Sequence, residues 1–154
     1  MLYWGAGVIS VTSSDDLYHW KPGVPFITRT AWGNPHVEAG PPPMRLPDGN
    51  YLFFHNSWGG KAGYQPAWVV LDGANLTHIL ARAPEPLWSP QRESWMAGDG
   101  SEQCNVADVA FLEAAHPLGP GNNGTAFRVY FGGADAVIGS AVVEVERVAG
   151  VACE

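Results

Sequence analysis

The stretch Pro43-Met44-Arg45-Leu46-Pro47-Asp48-Gly49-Asn50-Tyr51-Leu52-Phe53-Phe54-His55 decides how this chain folds. Residues 43–46 lead into a turn, residues 47–50 make it, and residues 51–55 return as an apolar strand. The Asp-Gly pair supplies the positive φ that a hairpin turn requires. Similar short runs lie on either side. Val8-Ile9-Ser10-Val11-Thr12 reads as a strand upstream, and Ala67-Trp68-Val69-Val70-Leu71 as the next strand downstream. Val109-Ala110-Phe111-Leu112, Phe127-Arg128-Val129-Tyr130-Phe131 and residues 137–145 follow. The 19 Gly and 13 Pro are spread between these runs, the pattern of many short strands joined by tight turns. No amphipathic helix is predicted; residues 74–83 read either as one short helical turn or as loop plus strand.

The strands repeat loosely. An apolar strand, a turn, residues 51–55 and a strand ending at Asp72 form one copy. Residues 109–112, a Gly/Asn/Pro loop, residues 127–131 and the strand around 141–143 form the second. Each copy is a meander of three or four strands, the unit of a β-propeller blade. One blade has two faces to cover and cannot bury both alone, so blades stack. A β-sandwich also has short strands, and periodicity alone leaves it open. In a propeller, polar residues at the ends of inner strands line a central funnel, which makes them ligand-site candidates.

Composition narrows the classes. A hydrophobic share of 46% with 15% charged residues is globular rather than disordered. The net charge of -7 argues against nucleic acid, whose phosphates need a basic surface, and leaves neutral sugars open. The 7 Trp offer faces that stack on sugar rings, although aromatics also fill β cores. Cys104 and Cys153 form neither a disulfide framework nor a metal site, and their pairing is left open. No metal ion or other cofactor is expected. No run approaches the ~20 apolar residues of a membrane span, and residues 1–5 carry no signal-peptide pattern. No membrane partner is expected and no compartment is assigned. Asn75-Leu76-Thr77 and Asn123-Gly124-Thr125 fit the glycosylation triplet.

Several side chains stand out as chemistry. Glu38, ahead of Pro41-Pro42-Pro43, reads as a carboxylate at a rigid edge entry to a strand, or as a solvated loop acid. His55 closes an apolar strand and has a donor for a sugar hydroxyl or an anion, or for a neighbouring loop. Asp135, among small residues after an apolar strand, has room to hold two sugar hydroxyls, or simply makes a turn. Tyr64 and Asp108 complete the expected substrate-binding set, with Asp108 the weaker reading. Asp15 and Asp16 read as caps of the turn 14–20. Glu38, His55 and Asp135 are expected to converge on one axial hollow.

Four motifs in order resemble glycoside hydrolase family 130, the β-mannoside phosphorylases and related mannosidases. Ser13-Ser14-Asp15-Asp16-Leu17-Tyr18-His19-Trp20 is similar to its Ser-x-Asp-Leu-x-x-Trp segment, and Glu38-Ala39-Gly40-Pro41-Pro42-Pro43 to its Gly-Pro-Pro segment. Residues 80–90 resemble its Arg-x-x-x-Pro-Leu-x-x-Pro segment. Tyr130-Phe131-Gly132-Gly133-Ala134-Asp135 resembles its Tyr-Tyr-Gly-Ala-Ala-Asp segment. The resemblance implies a five-bladed propeller acting on mannosides by inversion. Residues 1–154 would then form a single all-β domain of about three blades, the C-terminal portion of a longer glycosidase-like domain. It implies that Asp135 contacts the sugar before the cleaved bond and that His55 helps bind phosphate, the co-substrate if the reaction is phosphorolysis. Where phosphorylases carry a basic residue before Gly-Pro-Pro, this chain has Glu38, and the nearest basic residue is His36. A carboxylate repels phosphate and suits activation of water, so Glu38 is the candidate base. The family's general-acid Asp and most phosphate-binding Arg and Lys belong to earlier blades. The chain alone is therefore expected to be inactive and to self-associate through open blade ends. A non-catalytic sugar-binding module is the alternative.

Overall fold

The computed structural model describes residues 1–98, 106–119 and 124–146. Cys104, Cys153 and Asn123 lie outside the described residues. The chain is all-β and forms three consecutive antiparallel sheets. The first sheet sets β3 (Ile9–Thr12) between β1 (Leu2–Trp4) and β4 (Val24–Ile27). Pro25 falls on the edge strand β4, where its missing N–H costs no ladder bond. The second sheet runs β2 (Ala6–Gly7), β5 (His36–Ala39), β7 (Tyr51–Trp58), β8 (Gln65–Leu71), β9 (Ile79–Arg82), with β6 (Met44–Arg45) also on β7. The third is the meander β10 (Ala110–Pro117), β11 (Ala126–Gly133), β12 (Val137–Glu144). The loose repeat thus corresponds to two meanders, β6-β7-β8 and β10-β11-β12. Helix among the described residues is one 3-10 turn, Pro90–Arg92, and one α turn, Ser94–Ala97. Residues 74–83 resolve as loop followed by β9.

The apolar run 51–54 follows from its place. Successive side chains on a strand face opposite sides, and β7 sits in a sheet covered on both. Phe53 packs with Ile9, Ile27, Val37, Val69 and Leu71 against the first sheet. Phe54, one residue on, packs with Leu46, Leu112, Phe127, Val129 and Phe131 against the third. Three sheets with the second in the middle account for both clusters, which a two-sheet sandwich does not. By contrast β12, an edge strand, alternates between exposed and half-buried positions. The turn ahead of β7 is built as the Asp-Gly pair dictates. Gly49 has φ 90°, its N–H donates to Leu46 O, and the Asp48 carboxylate accepts from the Asn50 N–H at 3.0 Å.

Two local readings are corrected. Glu38 is not at an edge entry and not in a loop: β5 pairs with β2 on one side (Ala6 with Glu38) and β7 on the other (Glu38 with Asn56). The three prolines instead lie in the connection from β5 to β6. His55 does not end its strand either, since β7 runs on through Asn56, Ser57 and Trp58. These polar residues stay in the strand because each finds a partner. Ser57 Oγ donates to Gln65 O and accepts from Asn34 Nδ2. Asn56 is fully buried; its Nδ2 donates to Leu112 O at 3.1 Å, and its Oδ1 accepts from Leu112 N at 2.7 Å. A side-chain amide here stands in for a backbone strand and joins the second sheet to the third. Gly40 lets the chains approach at this junction, because a Cβ there would press on Phe54 O and Leu112 O.

Asn56→Ala leaves the N–H and C=O of buried Leu112 without these partners. The expected loss is about 2–4 kcal/mol of folding stability, read as a lower urea midpoint with unchanged slope. An unchanged midpoint would show that the junction does not need this amide.

Candidate functional site

An open cleft of about 590 Å³ lies on the third sheet, lined by Glu113, Tyr130, Phe131, Asp135 and Ile138 among others. Asp135, which lines it, and Glu38, which does not, both act on Tyr64. The Tyr64 hydroxyl is pushed above its ordinary value by burial, then by the charges of Glu38 and of Asp135. Burial and then the Glu113 charge raise the Glu38 carboxyl. Tyr64 therefore keeps its proton as a donor beside two carboxylates. Its ring is held in a ladder: His36 stacks on Trp58 at 5.2 Å, Trp58 on Tyr64 at 5.0 Å, and Tyr64 tilts against Phe111 at 5.8 Å. Both faces of Trp58 are thus used by protein rings, which makes it a support for Tyr64 rather than a sugar platform.

Backbone contacts fix the remaining members. Asp108 acts through its main chain: its N–H donates to Ala97 O at 2.7 Å and its carbonyl accepts from Tyr64 N at 2.8 Å. Gly63 permits that approach, since φ is 70° and a Cβ would fall on the Asp108 carbonyl. Asp135 sits in the hairpin between β11 and β12, where Ala134 and Asp135 take φ of 50° and 53°. Two left-handed residues in succession are what a type I′ turn needs. Without glycine each costs on the order of 1 kcal/mol or more. The cost is sustained because Ala134 is fully buried and bonded on both sides, its N–H to Val109 O and its carbonyl from Val106 N. The turn thus presents Asp135, exposed, to the cleft.

His55 is not brought to this place. Ala39 pairs with His55 and Glu38 with Asn56, so alternation sends His55 to the first-sheet side of β7 and Glu38 to the third-sheet side. The expected convergence of all three is corrected on this point. His55 is 3% exposed, and its Nδ1 lies 3.2 Å from Asn56 O. It borders a cavity of about 10 Å³ with Arg29, Thr30, Trp32 and Arg82, room for one water. Burial, and then the Arg82 charge, press its imidazole down to about 4, against the Asn56 hydrogen bond. Asp16 belongs to its own turn: its Oδ1 accepts from Tyr18 N and His19 N, bonds that hold its carboxyl well below the usual range.

Residue-by-residue reading missed Glu113, Asn56 and Trp58. Glu113 occupies the bulge between Leu112 and Ala114, where β10 slips register against β11. A bulge re-aims a side chain; its only trace in the sequence is an acid interrupting an apolar run. Among the described residues, no three His, Cys, Asp or Glu side chains are grouped to hold a metal ion. No helix among them is long and apolar enough to cross a membrane.

An open cleft with carboxylates beside aromatic side chains is the kind of site that carbohydrate-active proteins use, and sequence comparison gives the family. The family model described as β-1,4-mannooligosaccharide phosphorylase matches residues 2–154. The chain belongs to glycoside hydrolase family 130. It is 30% identical over 143 residues to a 1,2-β-oligomannan phosphorylase of Thermoanaerobacter sp. (strain X514), covering 91% of this chain and 44% of that protein. Among solved structures it is similar to the β-1,2-mannobiose phosphorylase of Listeria innocua, in complex with β-1,2-mannobiose. That match has a TM-score of 0.72 at 19% identity over 89% of this chain and 36% of that one. Another is described with family members that hydrolyse β-1,2 mannosidic linkages in Candida mannan; its TM-score is 0.70 at 21% identity over 92% of this chain and 42% of that one. The three blade-sized sheets accord with this fold, and the chain spans less than half the length of these relatives.

An imidazole titrating near 4 when folded and near 6.5 when unfolded binds its proton more readily in the unfolded chain. The stability it lends is full above about pH 6.5 and is lost as pH falls toward 4, on the order of 3 kcal/mol in all. His55→Gln should flatten that part of the stability curve in urea titrations between pH 7 and 4. An unaltered slope would mean that His55 charges without cost.

Proposed function

We propose that this chain carries the sugar-holding part of an inverting mannoside-cleaving site, with Glu38 as the base. One observation carries the reading: Glu38 and Asp135, from separate segments, both act on Tyr64, and Asp135 also lines an open cleft on the third sheet. Asp135 accepts hydrogen bonds from two sugar hydroxyls, Tyr64 donates one, and Asp108 holds Tyr64 in place. Glu38 takes a proton from water as the water oxygen bonds the anomeric carbon. The bond to the leaving oxygen breaks with its electron pair, and that oxygen takes a proton from a general acid. In this reading the acid comes from another part of the protein, so the chain alone binds rather than turns over. Residues 1–154 form a partial propeller domain, about three blades of a five-bladed β-propeller, and apolar side chains exposed on the first sheet, Leu2, Trp4 and Val24, support self-association of the isolated chain.

Water is the preferred nucleophile because Glu38, Glu113 and Asp135 together repel a phosphate dianion. Phosphorolysis is the second reading. The named relatives that are phosphorylases favour it, and it would use inorganic phosphate with His55, beside Arg29 and Arg82. The small size of that cavity weighs against it.

The protein containing this chain should release mannose from β-1,2- or β-1,4-linked mannobiose without phosphate. Mannose 1-phosphate formed only when phosphate is added would establish phosphorolysis instead. With neither product, calorimetry on residues 1–154 decides for a binding module. In either case Asp135→Ala should weaken mannobiose binding roughly 10- to 100-fold, by loss of hydrogen bonds to a charged group. Unchanged affinity would remove Asp135 from the site.

A further inference from the structure

We propose that Glu113 is a positioning residue that acts through Glu38, from the β10 bulge at the junction of the second and third sheets. The inference rests on the reading of Glu38 as base, and adds a residue to which no role is otherwise given. Geometry is the first support. Glu38 is the register partner of Asn56 on β7, and the Asn56 side chain is doubly bonded to the backbone of Leu112. Glu113 is the next residue, set free of the ladder by the bulge between Leu112 and Ala114. The clamp and the bulge together bring both residues next to Asn56. A second observation gives Glu113 a place near ligand: it lines the open cleft of the third sheet together with Asp135. The direction of the Glu38 shift agrees: after burial, Glu113 is the charge that raises it.

The other groups facing this point do not replace Glu113. Tyr64, from the connection between β7 and β8, is uncharged while it keeps its proton. Asp135, from the β11–β12 hairpin, acts on Tyr64. On its own strand Glu38 shares a face with His36, whose ring stacks on Trp58; from β7 come Asn56 and Trp58, both neutral. A base works best when its proton affinity lies near the working pH. A second carboxylate beside half-buried Glu38 lifts that affinity without adding a ligand of its own.

Carboxyl carbon NMR of Glu38 in the full chain tests the coupling. In Glu113→Gln the Glu38 midpoint should move to lower pH, and in Glu113→Asp, which keeps the charge, it should stay near the original. Glu113→Ser is a second charge-free variant should the first not fold; as Glu113 is exposed in a bulge, both should keep the native amide spectrum. An unmoved midpoint in the charge-free variants overturns the proposal whatever the activity. Kinetics separate the two readings. If mannoside cleavage by the protein containing this chain uses Glu38 as base, the acid limb of its kcat/KM profile should move down with the NMR midpoint. A moved midpoint with an unmoved limb sinks the base assignment and leaves the Glu113–Glu38 coupling standing.

Discussion

Asn56 presents a primary amide, one donor and one acceptor on a short stem, to the N–H and C=O of a single residue on another sheet. Much else in the structure depends on that pair of bonds. Sheets that meet face to face normally hold together by apolar packing, which is non-directional and tolerates sliding. A doubly bonded amide buried away from water does not slide, because breaking it strands two backbone groups and one side chain without partners. Leu112 is thereby fixed against β7, with the bulge at Glu113 directly after it and Glu113 lining the cleft. Gly40 serves the same junction by leaving room for the Phe54 and Leu112 carbonyls.

Charge in the cleft is then decided by position rather than by number. Glu113 acts on Glu38, and Glu38 and Asp135 act on Tyr64. Two carboxyls that differ in burial and in neighbours do not hold protons equally. The half-buried one, Glu38, is the harder to ionise. The exposed Asp135 is held by a strained turn whose flank, Ala134, is fully buried. Rigid elements thus supply a half-buried carboxyl and an exposed one, both acting on a tyrosine that keeps its proton.

The strand-and-turn pattern was open to reading residue by residue. The Asp48-Gly49 turn and the runs around 51–55, 67–71, 109–112, 127–131 and 137–145 all became strands or turns near the places where local chemistry put them. Strand ends were less legible. Alternation of polar and apolar residues marks a strand with one wet face, and at Asn56 and Ser57 it marked an end that was not there. Both are buried polar residues whose partners, Leu112, Asn34 and Gln65, come from elsewhere in the chain. Of the expected residues, Glu38 and Asp135 both act on Tyr64. His55 did not, because one residue of offset along β7 reverses the face on which a side chain emerges.

By itself the sequence determined an all-β chain, its hairpins, its family and a net negative charge, since turn chemistry, β-branched and aromatic runs and net charge are local or additive properties. Only the tertiary structure decided which face of β7 meets which sheet, that Glu113 leaves its ladder, and that His55 is shut behind the strand that carries it. Those outcomes depend on register and on hydrogen bonds between residues as far apart as 56 positions in the chain, and no short window of sequence contains both partners.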